Sequence, residues 1–231
     1  MSYNISTMFI WRYFNNECDC PTCRLRQNTE RDLADSYLNE AVMVEAERAL
    51  SNKFGFCKDH FDLLYAGRNK LGVALQVSTR LKTIAKEFKK PKDAKQAKAL
   101  AEKLKKETCN CIICRKIEFN MKRYYETVCA LYGDDEKFRN ENFKQVKGFC
   151  FNCYIRLLEN VNKAGKYAPE LISDLHEKMT SSITELDKDI TDFTMAFDYH
   201  SSGLPSESAT KSLRTARTKF YGEKPLAPER K

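Results

Sequence analysis

Apolar residues recur every three or four positions through most of this chain, and no internal run shows the strict apolar–polar alternation of a hairpin sheet. The longest such series is Ile172, Leu175, Met179, Ile183, Leu186, Ile190, Phe193 and Phe197, on one face of a helix that begins at Pro169. The same spacing predicts a helix over Asn28–Leu50, with Leu33, Tyr37, Ala41 and Val44 facing inward and Gly55 as its stop. A second is expected from Cys57, carrying Phe61, Leu64, Leu71, Leu75, Ser78, Leu81, Ala85 and Phe88 on one face and closed by Pro91. An Ala/Lys-rich helix follows over Asp93–Lys106, then one over Cys114–Tyr132 that the Gly133-Asp134-Asp135 turn breaks. A short helix leads to Gly148, another starts within Cys150–Lys163, and a basic helix runs from Pro205 to about Tyr221. With only eight glycines in 231 residues, the fold class is all-α.

Composition brings in the chemistry. Nine of the ten cysteines fall into a pattern that occurs twice. The first copy opens Cys18-x-Cys20-x-x-Cys23 and closes Gly55-Phe56-Cys57-x-x-His60; the second opens Cys109-x-Cys111-x-x-Cys114 and closes Gly148-Phe149-Cys150-x-x-Cys153. His60 stands where the second copy has Cys153. The two residues have little in common as packing groups, but both are good zinc ligands. The expectation is one zinc per copy: Cys20, Cys23, Cys57 and His60 at the first site, Cys111, Cys114, Cys150 and Cys153 at the second. Four protein ligands each describe closed, structural sites, since a catalytic zinc keeps a position for water. Cys18 and Cys109 remain as additional ligands, as hydrogen-bonded neighbours of the metal, or as a pair facing each other across a pseudo-two-fold axis. Cys129, without a counterpart, reads as a small buried hydrophobe.

Two other readings of the cysteines stay open. An iron–sulfur cluster would use three close thiolates and a remote fourth, which leaves His60 and Cys153 without a role. Disulfides or free thiols would need no metal, but a Cys-x-Cys pair is poorly placed for an internal bridge. Met1–Phe14 lacks a basic leader followed by an apolar run, so no secretory signal is expected and the compartment is read as cytoplasmic. No stretch reaches the roughly 18 apolar residues of a membrane span.

Charge narrows the partners. The net +8 is concentrated in Arg80–Lys106, with eleven Lys/Arg against three acids, and in Lys211–Lys231, with seven against two. Nucleic-acid binding through Arg80–Lys106 is an alternative function, but Phe88 is the only aromatic there to stack on a base, and a solvated helix face is the simpler reading. A protein partner or homodimer is also open. No phosphate loop, dinucleotide fingerprint, nucleophile elbow or zinc-protease motif is present. His176 and His200 read as surface residues, and the balance leans away from an enzyme.

The run Cys20-Pro21-Thr22-Cys23, with Gly55-Phe56-Cys57-Lys58-Asp59-His60 and a late Phe197-Asp198-Tyr199, resembles a bacterial family with no assigned function, the domain-of-unknown-function family 6062. That resemblance implies an intracellular bacterial protein and offers no activity; the second copy departs from it at Ile112 and Cys153. The expected organisation is a first helical unit over 1–90, a basic connector over 91–106, a second unit over 107–165, C-terminal helices over 166–221 and a disordered tail over 222–231. The function read from all this is a metal-binding protein with a binding or regulatory role; a redox or thiol-reactive protein is the rival.

Overall fold

A computed structural model describes residues 5–15, 18–197 and 204–223. The described residues are helical, with no strand. The helices are α1 (Ile5–Tyr13), α2 (Pro21–Leu38), α3 (Glu45–Phe54), α4 (Lys58–Ala66), α5 (Lys70–Glu87), α6 (Ala94–Cys109), α7 (Ile112–Asp134), α8 (Phe151–Leu158), α9 (Ala168–Met195) and α10 (Glu207–Tyr221). A π-helical turn, Phe138–Phe143, precedes α8, and a 3₁₀ segment, Val161–Tyr167, precedes α9. Asp198 and Tyr199 of the Phe-Asp-Tyr element, His200, and the tail from 224 lie outside the described residues, as does the side chain of Cys109.

Contacts divide the chain into two compact units that do not follow the sequence copies. Among the described residues, one comprises those within 5–26 and 121–223; the other comprises 27–120. The first is organised around aromatic rings. Phe14, Phe138, Phe143, Phe149 and Tyr132 are buried, with Tyr132 edge-on to Phe143 at 4.9 Å and Phe14 at 5.4 Å from Phe138. Buried rings of this size dominate the apolar area a small core removes from water. α9 adds Leu171, Leu175 and Met179, and α10 packs on α8 and α9. The buried stripe of α9 thus starts at Leu171, with Ile172 and Ile183 turned outward.

α7 ends at Asp134, within the expected Gly133-Asp134-Asp135 break; Gly133 is its penultimate residue, and a Cβ there would lie 2.5 Å from the Ala164 carbonyl oxygen, so the glycine also permits a close backbone approach. The turn comes at Asp135, whose carboxylate accepts from the Phe138 amide at 2.9 Å.

In the second unit the predicted helix over Asn28–Leu50 is interrupted. α2 stops at Leu38, and α3 starts at Glu45. Asn69 Nδ2 donates to the Leu38 carbonyl at 2.8 Å, and Gly72 lies so close to that oxygen that a Cβ there would sit 2.3 Å away. The start of α5 therefore occupies the space into which α2 would continue. Gly55 does end α3, with φ +64°. The stretch from Cys57 to Phe88 is likewise two helices, separated at Gly67-Arg68-Asn69. Its expected buried face is mostly outside: Leu71, Leu75, Leu81 and Phe88 are exposed, while Gly72, Val73 and Gln76 face inward. Gln76 Nε2 donates to the Tyr37 carbonyl at 2.6 Å, so a polar residue occupies the contact that periodicity assigned to leucines. Tyr37 donates to Glu47 at 2.7 Å, and Glu47 also accepts Lys116 Nζ at 2.7 Å, joining α2, α3 and α7.

Two candidate metal centres

Each pair of candidate ligands sits at the start of a helix. Cys20 and Cys111 immediately precede α2 and α7, while Cys57 and Cys150 are the N-caps of α4 and α8. The second member of every pair, Cys23, Cys114, His60 or Cys153, is in the first helical turn. Amide hydrogens and the positive end of the helix dipole favour a thiolate at such positions.

The structure gathers the eight residues into two groups of four, each group's ligand atoms lying within 4.8 Å of one another. The membership differs from the within-copy assignment. Cys20 and Cys23 meet Cys150 and Cys153; Cys57 and His60 meet Cys111 and Cys114. Each opening pair joins the closing pair of the other copy. The cause is helix length. α2 leads away from Cys20 and Cys23 for 18 residues, about 27 Å, before the chain turns towards Cys57. Between α2 and Cys57 the chain forms one helix, α3, of ten residues, too few to retrace that path. α7 leads away from Cys111 and Cys114 for 23 residues, about 35 Å, with only short helical pieces before Cys150.

Distances match a single ion. In the four-cysteine group, Cys23 Sγ is 3.6 Å from Cys150 Sγ and 3.8 Å from Cys153 Sγ. In the other, Cys57 Sγ is 3.8 Å from Cys114 Sγ, and His60 Nδ1 is 3.1 to 3.3 Å from the three sulfurs. Zinc–sulfur bonds of about 2.3 Å arranged tetrahedrally give sulfur–sulfur edges of about 3.8 Å, and sulfur–nitrogen edges of about 3.5 Å. A disulfide would need about 2.05 Å, and all nine described cysteines are free thiols. A cluster of several irons would hold its thiolates on different metal atoms, further apart than the edges of one tetrahedron.

Electrostatics point the same way. Hydrogen bonds from Cys153, Cys20 and Cys23 pull the Cys150 thiol far below its ordinary range. Burial opposes ionisation of Cys20, but bonds from Cys153 and Cys23 still lower it. Hydrogen bonding to Cys150 pushes Cys23 and Cys153 up. In the second group the bond from Cys114 draws Cys111 down to about 3 and raises Cys114 itself. Such packed thiols can lose only some of their protons; a divalent cation would let all of them ionise.

Neighbours that the cysteine pattern did not reveal complete each group. Nε2 of His60 is 2.9 Å from Glu30 Oε1, and both side chains are buried. This contact places the proton on Nε2 and leaves Nδ1 facing the sulfurs, the arrangement a metal-bound histidine needs. Burial disfavours an imidazolium at His60, but Cys111 and Glu30 outweigh it and raise the ring to about 10. At the four-cysteine group the Tyr125 hydroxyl donates to Cys153 at 3.5 Å. Lys219, buried, donates to the Phe149 carbonyl at 3.2 Å and Ser182 at 2.8 Å. Gly222, after α10, has φ +80°, and a Cβ there would meet Cys23 and Cys150 sulfurs at 3.4 and 3.5 Å. The two groups also fasten differently. Ile112 donates its amide to the Gly55 carbonyl at 3.0 Å, a bond that Pro21, its counterpart, cannot make.

The groups differ in access. All four cysteines of the first are buried, whereas in the second Cys114 is exposed and Cys57 half-buried. Cys18 stands outside both groups, its thiol pushed up to about 11 by burial and then by Cys20. Cys129 is fully buried, as expected, and burial raises it to about 12. No described helix is long and apolar enough to cross a membrane.

The chain belongs to the family of unknown function DUF6062, whose model matches residues 1–227. Comparison with curated proteins and with solved structures finds no match.

Proposed function

We propose that this member of the DUF6062 family is a two-zinc protein whose metals are structural and whose role is binding or regulatory. One zinc is held by Cys20, Cys23, Cys150 and Cys153, the other by Cys57, His60, Cys111 and Cys114. The observation that carries the reading is the single-ion size of both groups, with sulfur–sulfur edges of 3.6 to 3.8 Å. Supplying four protein ligands per ion, the groups act on the protein itself: each metal would clamp two helix starts that lie far apart in sequence.

The nucleic-acid reading rests on charge alone. Arg80, at the head of the basic run, is used internally: it bonds the Asn52 and Lys53 carbonyls at the end of α3 and pairs with Glu107 of α6. Metal analysis of natively purified protein tests the main reading. Two zinc ions per chain in colourless protein are expected; iron with visible absorption would replace zinc with the redox alternative.

A further inference from the structure

The outward face of α5 carries a pattern that the core of its own unit does not use. Leu71, Ala74, Ser78, Leu81, Ala85 and Phe88 are all exposed, at spacings of 3, 4, 3, 4 and 3. Val73 and Gln76, on the opposite side, are the residues that hold α5 to α2 and its neighbours. Small and apolar residues at two positions in seven make the narrow seam by which one helix packs on another, not the broad face that covers a core.

The seam is large enough to matter. Leu71 is 69% exposed, Leu81 and Phe88 59%, and Leu75, on the edge of the seam, 49%. At about 150–200 Å² for a fully exposed large side chain, each offers roughly 100 Å² for burial. Doubled by a second copy, and enlarged by Ala74, Ser78, Ala85 and the lysine stems, this comes to about 1,000 Å², the lower bound for a specific interface.

The order of sizes selects the occupant. Leu71 and Phe88 end the seam, Ala74 and Ala85 come next inward, and Ser78 and Leu81 flank the middle. Read backwards, the seam sets large ends on large ends, alanine on alanine, and each Leu81 beside a serine. A two-fold interface needs such self-complementarity, and a different partner would not. Leu75 and Lys82 share one edge, which reversal brings face to face, so the lysine stem would cover the leucine.

We propose that α5 is a dimerisation helix: two copies of this chain pair antiparallel along the Leu71–Phe88 seam, about a two-fold axis between Thr79 and Arg80. Lys82 and Lys86 of both copies then lie along one edge and repel each other weakly, so the dimer is held by apolar packing against a charge term that salt screens.

Sedimentation equilibrium of the full-length, metal-containing protein across the micromolar range tests this. A monomer–dimer equilibrium with a midpoint of roughly 10–100 µM is expected for an interface of this size, tightening about two- to threefold as salt is raised. Ser78→Lys, on the exposed side of the monomer, puts like charges into the middle of the seam and should weaken the dimer about tenfold or more. Metal content and helical circular dichroism are measured on the variant; if it misfolds, Ala85→Lys takes its place. Lys70 and Lys89 stand at opposite ends of the 18-residue α5, about 27 Å apart within one chain, but together in the antiparallel pair. A short glutarate amine cross-linker on mixed isotope-labelled copies should therefore join Lys70 of one to Lys89 of the other. A monomer throughout the range, dimerisation unchanged in Ser78→Lys, weakening by salt, or absence of the Lys70–Lys89 cross-link would each overturn the proposal. Monomeric protein that floats with phosphatidylglycerol vesicles would overturn it too, and would reassign the face to a lipid surface.

Discussion

Glu30 offers a sharp test of how the mixed centre works. Its carboxylate is 2.9 Å from His60 Nε2, and both side chains are at most 5% exposed. With zinc on Nδ1, the Nε2 hydrogen has no other place to go, and truncation in Glu30→Ala strands a buried donor. Losing such a partner typically lowers metal affinity 10- to 100-fold, about 1.4 to 2.7 kcal/mol. Glu30→Gln keeps an acceptor and loses the charge, so its effect should be the smaller one. Competition against a zinc chelator gives the two affinities, and cadmium-113 NMR distinguishes a four-sulfur from a three-sulfur, one-nitrogen site. The expected result is weakening at the mixed site only, with alanine worse than glutamine. Unchanged affinity in Glu30→Ala, or weakening confined to the four-cysteine site, would refute the reasoning.

Three further outcomes are expected. Burial alone would raise the Glu47 carboxyl, but hydrogen bonds from Lys116 and Tyr37 hold it below its ordinary range. A lowered folded value means the stabilisation is present above the unfolded value near 4.5 and is lost as pH falls through the folded one. Urea titrations across that window should show Glu47→Gln less acid-sensitive than the parent, the pair contributing about 1 kcal/mol. Gly133→Ala should cost about 1–3 kcal/mol, seen as a lower Tm, because its Cβ would collide with the Ala164 backbone; an unchanged Tm would mean that α7 and the 3₁₀ segment separate easily. Stripping metal with a chelator should lower Tm markedly, with the mixed centre emptying first because Cys114 is exposed and the other four cysteines are buried; simultaneous release would contradict that order.

The eight residues that the structure gathers into two groups were legible because their spacing repeats and because His60 stands where the other copy has Cys153. Their pairing was misread, although the information lay in the sequence. A helix starting near Cys23 and ending near Gly55 cannot return Cys57 to Cys23 without a second helix of similar length. Helix existence and the Gly55 stop were also readable from period and punctuation. Other features depended on tertiary contacts that no local pattern records. The turn at Gly133-Asp134-Asp135 was readable but the approach of Gly133 to Ala164 was not, and the α2–α3 break is imposed by Asn69 and Gly72, more than 30 residues away. The leucine stripe of α5 was assigned inward because periodicity identifies a face, not its partner; a hydrogen bond from Gln76 to Tyr37 decided the orientation. Glu30 and Tyr125 were missed because a single acid or tyrosine on a helix carries no spacing signal.

The central claim is that each metal joins the opening pair of one copy to the closing pair of the other. Proton–cadmium correlation in cadmium-113-substituted protein tests it directly, since each metal couples only to the β-protons of its own cysteines. One cadmium should correlate with Cys20, Cys23, Cys150 and Cys153, and the other with Cys57, Cys111 and Cys114 together with the His60 ring. A cadmium that correlates with Cys20, Cys23 and Cys57 would contradict the account.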